Sequence, residues 1–326
     1  MYGIVDEAID SGNYGGASGR VSRLTSGGYS SSRLGFTGSE DLGNGMKANF
    51  RLETGLSANN GNLDNTKGQL FQRRSTVGLS GSNWGSVNFG RQFSPLYDIQ
   101  YMANIFRNVG AGATYALTNV GQTRINNSIR YDSPSINGFT AAAMYSLGDT
   151  GTGSVATVDP KDLGRHSGAN LRYDNGPVKL GLGWSNQKSM ATVAGSVDEL
   201  KTTALTGSYD FKVVAINAGW QQSRNDASPR TSDNRVWTLG ATVPVFGNDS
   251  VKVAYNDLHN KLLTDSDVKL ISLGYVHPMS KRTTLYGTWA KMTNERSAAY
   301  TLYQAPVGGT AGYDPSAVQV GIAHSF

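Results

Sequence analysis

The chain has 326 residues with 41 glycines, 10% aromatic residues, no cysteine and only 16% charged residues, well under the roughly 25% expected of a soluble domain. Without cysteine there are no disulfides, thiolate zinc sites or cysteine nucleophiles, and the net charge of +5 rests on scattered basic residues with no run of five, which argues against a nucleic-acid partner. No segment approaches the roughly 20 consecutive apolar residues of a transmembrane helix, whereas a transmembrane strand needs only about 9 to 11 residues with one apolar side, so the mildly polar mean hydropathy leaves a membrane barrel open.

At the start, Met1 is followed at once by Tyr2, Gly3, Ile4 and Val5, a strand-like run in place of the basic and apolar regions of a signal peptide, so a mature form is expected. After a Gly/Ser/Asn-rich stretch at 11 to 30, Arg33 alternates with Leu34 and Phe36. The turn signal Gly43-Asn44-Gly45 leads into a strand with Met46, Ala48, Phe50 and Leu52 on one face and Lys47, Arg51 and Glu53 on the other. A polar stretch at 57 to 69 precedes the adjacent Arg73 and Arg74 and a strand carrying Val77, and Ser82-Asn83-Trp84 turns it back into Val87, Phe89, Arg91 and Phe93. Residues 95 to 126 are the longest stretch without clean alternation, and Pro95 to Met102 within it is predicted to hold a short helix. Arg130 then sits between Ile129 and Tyr131, and Ser135-Ile136-Asn137 marks another turn.

In the second half, long stretches at 148 to 164, 186 to 200, 223 to 233 and 295 to 315 alternate with tight turns at Asn175-Gly176, Gly247-Asn248 and Ser280-Lys281. Between them Val178, Leu180, Leu182 and Trp184 oppose Lys179, Gly181, Gly183 and Ser185, and Val214, Ile216, Ala218 and Trp220 follow the same period. Trp237, Leu239, Ala241, Val243 and Val245 oppose Thr238, Gly240, Thr242 and Pro244. The last segment places Val318, Val320, Ile322, His324 and Phe326 opposite Gln319, Gly321, Ala323 and Ser325.

A soluble sandwich puts its bulky apolar residues inside and charges outside. Here the second face is too thin in bulk to core 326 residues, so a hollow, wet interior and a lipid-facing exterior are expected. Short connections on one side and long ones on the other are a property of outer-membrane barrels. Counting strands between them gives about sixteen, an even number that lets the first and last strands pair and removes the sheet edges, with an aqueous channel inside. Tyr2, Trp184, Trp220, Trp237, Tyr255, Tyr275 and Tyr286 suit aromatic girdles, although plain β-propensity accounts for them almost as well.

The run Ser32-Arg33-Leu34-Gly35-Phe36-Thr37-Gly38-Ser39-Glu40-Asp41-Leu42-Gly43-Asn44-Gly45 resembles the second strand and first turn of trimeric general porins of Gram-negative bacteria, especially the neisserial and burkholderial type. Lys47 to Gly55, Val77-Gly78-Leu79-Ser80, Phe89-Gly90-Arg91-Gln92, Asn126 to Pro134, Ser280 to Thr283, Leu285-Tyr286-Gly287 and the terminal Phe326 extend the likeness over essentially the whole chain. The resemblance implies a single outer-membrane barrel over 1 to 326, a homotrimer, and a third loop, here about 95 to 126, folded into the lumen as a constriction. It also implies that Phe326 serves as a C-terminal signal for the barrel-assembly machinery, beside its plain role as a lipid-anchoring aromatic. The expected surroundings are outer-membrane lipid and lipopolysaccharide, and the expected cargo is ions and small hydrophilic solutes.

The chemistry of such a channel is a field and a hole. Parity turns Arg33, Arg51, Lys47, Glu53 and Arg130 inward. Arg73 and Arg74 are adjacent and expected to face opposite ways: the resemblance favours Arg73 for the lumen, alternation with Val77 favours Arg74, and the other arginine belongs to the subunit contact, as does Arg91. Between 95 and 126 the one acid, Asp98, stands against Arg107 and Arg124. This balance predicts a mild anion preference through Coulomb focusing in a narrow, low-dielectric constriction; otherwise these arginines are solvated charges balanced by acids. The alternative function is a substrate-specific channel or a receptor acting through its loops. An enzyme lacks material: His166, His259, His277 and His324 are far apart with no i,i+4 partner, so neither a metal site nor a His-based triad is expected, and no cofactor. The glycines at Tyr14-Gly15-Gly16 and Gly110-Ala111-Gly112 lack the strand-glycine-helix unit of a phosphate cradle.

Overall fold

The alternation along the chain becomes a wall between two solvents. The computed structural model describes residues 1–15, 19–64, 68–118, 121, 123–148, 164–190, 197–226 and 229–326; the stretch expected at 148 to 164 and the tip of the one at 186 to 200 lie largely outside these. The strands of the first half are β1 (Tyr2–Asn13), β2 (Arg20–Ser26), β3 (Arg33–Gly43), β4 (Met46–Ser57), β5 (Asn62–Leu63), β6 (Arg74–Gly81), β7 (Gly85–Phe93), β8 (Arg124–Asp132) and β9 (Phe139–Ser146). Those of the second half are β10 (His166–Asn175), β11 (Val178–Met190), β12 (Val197–Asp210), β13 (Ala215–Asn225), β14 (Asp233–Pro244), β15 (Ser250–Asn260), β16 (Val268–Pro278), β17 (Thr283–Asn294) and β18 (Ser316–Ser325). Each pairs antiparallel with its neighbour. The two-residue β5 only bridges back to the end of β4, and β2 and β3 share one place beside β1. The closed wall therefore has sixteen strands.

Closure is made by β1 and β18, in register from Ile4↔Ser325 to Asn13↔Ser316, and extended by reciprocal backbone hydrogen bonds between Gly3 and Phe326, both 3.1 Å. The Phe326 ring lies so close over Gly3 that a β-carbon there would stand 2.3 Å from the ring tip. The chain interrupts the second wall position at 27–32 because the buried Asp6 carboxylate of β1 captures it, accepting the backbone N–H groups of Tyr29 (2.9 Å) and Ser30 and the Tyr286 hydroxyl.

Outward faces follow the alternation: Trp237 is 56% exposed and Val320 59%, while Gln319 between the outward valines of β18 is 1% exposed. The expected tight turns appear between the corresponding strands, and one more joins β12 to β13, where Lys212 takes a positive φ of 69° and the Phe211 N–H meets the Val214 carbonyl at 2.9 Å. The stretches at 11 to 30 and 186 to 200 are shorter as loops than their composition suggests, since β1, β2, β11 and β12 continue as strands above the lipid band, where polar residues suit both faces. Tyr2 and Tyr286 depart from the girdle expectation: both turn inward, to Glu53 at 2.7 Å and to Asp6 respectively.

The interior is not uniformly wet. Residues 94–118 cross it, beginning with helix α1 (Pro95–Ala103), whose first turn is fixed by Pro95 and by the Ser94 hydroxyl accepting the Tyr97 N–H at 3.3 Å. Leu96 and Ile99 press onto Gly181, Gly183 and Ala204, and a β-carbon at Gly183 would stand 2.7 Å from Ile99. Part of the small-residue face is thus the bed of a helix. The crossing is then pinned from the wall by Lys252 to the Ile105 carbonyl (2.9 Å), Ser272 to the Gly112 carbonyl (3.1 Å) and the Ala111 N–H to Gln319 (2.8 Å). It turns back through helix α2 (Tyr115–Thr118), where Gln100 donates to the Thr118 carbonyl at 2.9 Å. Inward Val236, Leu258, Val268, Leu270 and Met292 pack with Ala111, Leu117 and Leu302 into an apolar core inside the wall. The thin second face of the sequence is thick on these strands because two loops cover it.

Replacing Gly3 by valine forces the Phe326 ring off the seam and is expected to destabilise the barrel by about 1–3 kcal/mol. Urea unfolding in detergent, with folded and unfolded species resolved by cold gel mobility, measures it; an unchanged midpoint contradicts the role given to the seam.

Candidate functional site

The inward charges of β3, β4 and the chain entering β6 converge on one side of the lumen, opposite α1. Glu53 of β4, 3% exposed, accepts hydrogen bonds from Arg73 (2.7 Å), Arg51 (2.9 Å) and the Tyr2 hydroxyl (2.7 Å), and Arg51 donates in turn to the Tyr2 oxygen at 2.7 Å. Arg33 has its guanidinium 3.3 Å from the Ser30 hydroxyl and, among the described residues, no ion pair. Around them a cavity of about 600 Å³ is lined by Arg33, Arg51, Arg73 and Arg172 against the two carboxylates Glu53 and Asp98, with Tyr97 and Tyr101 of α1 closing the far side.

Arg73 and Arg74 do not face opposite ways. Arg74 lies opposite Glu53 in the β4–β6 register and so turns inward as alternation requires, with Val77 outward at 60% exposure. Arg73 also reaches the cavity, because it precedes the first regular residue of β6 and is released from the pleat to meet Glu53. Neither arginine is left for the outer surface. Arg91, opposite Ser75 on the outward row, donates to the Gln72 carbonyl at 2.6 Å and to Asn126.

Arg130 turns inward as expected but is not a free lumen charge. Only 6% exposed, it donates to Asp98 of α1 at 2.6 Å, to Asp132 at 2.6 Å and to the Phe93 carbonyl at 3.0 Å. Asn170 of β10 adds a bond to Asp98 at 3.1 Å and another to the Pro95 carbonyl at 2.8 Å. Arg130 is the clamp that holds the helix start to the wall, and in doing so it neutralises the one acid of the crossing segment. Arg124 stacks on Phe93 with its guanidinium carbon 4.4 Å from the ring centre. Burial raises the hydroxyl pKa values of Tyr97 and Tyr115 above the ordinary tyrosine range, so both face these cations as neutral groups.

Two expected residues lie apart from this cluster. Lys47 is exposed opposite Asp41, beside the short turn at the periplasmic end. Arg107 is exposed further along the crossing segment, where its guanidinium covers the Tyr29 ring at 4.3 Å while Lys252 flanks the same ring at 5.6 Å. Arg172, Tyr29 and Lys252 belong to the lumen chemistry without having been singled out, and Tyr2, expected in a girdle, joins them. On β10 and β15 only strand parity separates Arg172 and Lys252 from ordinary solvated residues, and the path of the crossing segment selects them.

Residues 1–297 match the family model described as Gram-negative porin. The chain is 36% identical to outer membrane porin protein 32 of Delftia acidovorans, over 100% of this chain and 93% of that one, and 31% identical to an outer membrane porin protein of Bordetella pertussis, over 90% and 82%. Among solved structures, the anion-selective porin from Comamonas acidovorans superposes with a TM-score of 0.89 at 35% identity, over 100% of this chain and 98% of that one. A trimer form of OmpT from Vibrio cholerae shares the fold, with a TM-score of 0.74 at 14% identity over 100% and 99% of the two chains.

Changing Arg130 to methionine leaves Asp98 and Asp132 facing each other without their cation, an expected loss of about 3–5 kcal/mol. Thermal unfolding in detergent reads the loss, and single-channel recordings are expected to show added current noise as α1 loosens; a quiet channel with unchanged unfolding contradicts the clamp.

Proposed function

The chain belongs to the Gram-negative porin family, and from that membership and its lumen we propose a water-filled outer-membrane channel for ions and small hydrophilic solutes, with a mild preference for anions, whose constriction is formed by Arg33, Arg51, Arg73, Arg74 and Arg172 opposite α1. The observation that carries the sign is the cavity in which four arginines meet two carboxylates, both of which are already committed to guanidinium groups. Fixed positive charge in a narrow low-dielectric passage lowers the barrier for anions and raises it for cations. The structural relative described as anion-selective supports the same sign. Arg107 and Lys252 beside Tyr29 add a second cationic position on the crossing segment.

The working unit is a homotrimer. Its support is Glu7, which faces outward from β1 in register with Ile322 and Ser26, its two oxygens shut off from solvent and without hydrogen-bond partners among the described residues. An acid on the outward row interrupts the apolar band, as a wall covered by protein and not by hydrocarbon would. Ser11, Ser22 and Ser75 continue this polar break in the outward band. Phe326, exposed at the periplasmic end of the seam, serves the assembly machinery as the terminal signal, and lipopolysaccharide surrounds the extracellular half.

In planar bilayers with a potassium chloride gradient, the reversal potential is expected to report chloride over potassium, and the preference to weaken as ionic strength rises. Neutralising Arg33 and Arg172 together to glutamine is expected to lower the preference; a cation-selective wild-type channel overturns the reading. Conductance is expected to rise linearly with solute, and saturation by one solute at low concentration points instead to a substrate-specific channel.

A further inference from the structure

One ring stands bare inside the passage. Tyr101 of α1 is 45% exposed and borders the cavity across from Arg33 and Arg51. The other exposed aromatic residues among those described lie on the outward strand rows, at the short turns or at the seam, where lipid and head groups meet them. The rings near Tyr101 in the lumen are already covered. Tyr97 stacks on Phe93 at 4.4 Å between centres, and Tyr115 meets Tyr303 edge-on at 5.4 Å. Tyr29 carries Arg107 at 4.3 Å and stacks with Tyr286 at 5.4 Å. Tyr101 has a single ring contact among the described residues, tilted and loose, to Tyr97 at 6.2 Å.

A transverse pair of opposite charges across the cavity needs acids on the helix, and α1 does not supply them. It shows the cavity Tyr97, Asp98, Tyr101 and Met102, and Asp98 is held by Arg130. The cavity therefore has one cationic wall and one aromatic wall. Arg33 has only the Ser30 hydroxyl at 3.3 Å among the described residues, and it is near enough to Tyr101 for phenol and guanidinium to act on each other electrostatically. A wet phenol face offers a small hydrated ion little, but it is complementary to another flat ring. Met102 beside it brings a soft thioether that adapts to a ring edge. At about 600 Å³ the cavity has the size of a small-molecule site.

We infer that the constriction holds a low-affinity site for aromatic carboxylates, with the ring stacked on Tyr101 and the carboxylate on Arg33. A guanidinium takes both carboxylate oxygens at once, while the two rings meet offset. These two contacts in a passage open at both ends hold the solute briefly and release it, as conduction requires. The inference rests on the channel reading above and deepens it: the arginines set the sign of the preferred ion, and Tyr101 sets which organic anions are favoured.

The test adds potassium benzoate or potassium cyclohexanecarboxylate to single channels in potassium chloride and reads the concentration that halves the chloride current. The two acids carry the same charge, and hydrophobic burial alone ranks the saturated ring at least equal to the flat one. Benzoate is expected to act at an about five-fold lower concentration, the increment of an aromatic pair beyond its buried area. That comparison is made on the wild-type channel and needs no variant to fold. Tyr101→Phe is expected to keep the ratio and Tyr101→Leu to bring it close to one, which separates the ring from its hydroxyl. Arg33→Gln is expected to weaken both acids alike. Equal action of the two acids on wild type, a ratio that survives in Y101L or is lost in Y101F, or an R33Q channel blocked like wild type overturns the inference. A cation-selective wild-type channel overturns the channel reading itself, whereas an anion-selective channel indifferent to the ring overturns only the aromatic site.

Discussion

Hydrocarbon offers no partner to a backbone N–H or carbonyl, so a sheet can cross a membrane only if it has no edge. Everything else in this molecule depends on the β1–β18 seam that meets this constraint. Its first strand also supplies the carboxylates that organise the adjoining interior. Asp6 draws the 27–32 segment inward, and Asp10 holds Arg23 at 3.0 Å and the Tyr14 hydroxyl at 2.6 Å. The strand that removes the edge therefore also begins to narrow the hole.

The narrowing is completed by a segment that treats the two sides of the lumen differently. Over β10 to β13 it lays a helix on a bed of glycine and alanine, and over β14 to β17 it joins a loop at 295–315 in covering aliphatic side chains. What stays wet is the side facing β3, β4 and β6, and there the arginines gather. Asp98 bridges the two regimes: its ion pair with Arg130 fixes the helix and removes the acid from the field of the passage. Structural and electrostatic roles are coupled in that pair.

Much of this was legible residue by residue. Strand parity placed Arg33, Arg51, Glu53 and Arg130 inward, and the composition of the connections gave the two ends of the barrel and the even strand count. The adjacency of Arg73 and Arg74 defeated parity because alternation holds only inside the pleat, and Arg73 stands one residue before it. Tyr286 looked like a girdle aromatic because nothing local distinguishes a tyrosine that finds lipid from one that finds Asp6, 280 residues away in the chain. The inward aliphatic residues of β14 to β17 were hidden for a similar reason: their cover arrives from distant loops.

The sequence by itself determined that this chain is a closed antiparallel barrel with an apolar outside and a set of inward arginines, because period-2 alternation and turn chemistry are local properties that survive without knowledge of contacts. Only the tertiary structure decided which of those arginines act as free charges and which as structural ties. That depends on which acid, tyrosine or helix the fold brings within hydrogen-bond distance, as Asp98 is brought to Arg130 and Glu53 to Arg73, and no spacing along the chain encodes it.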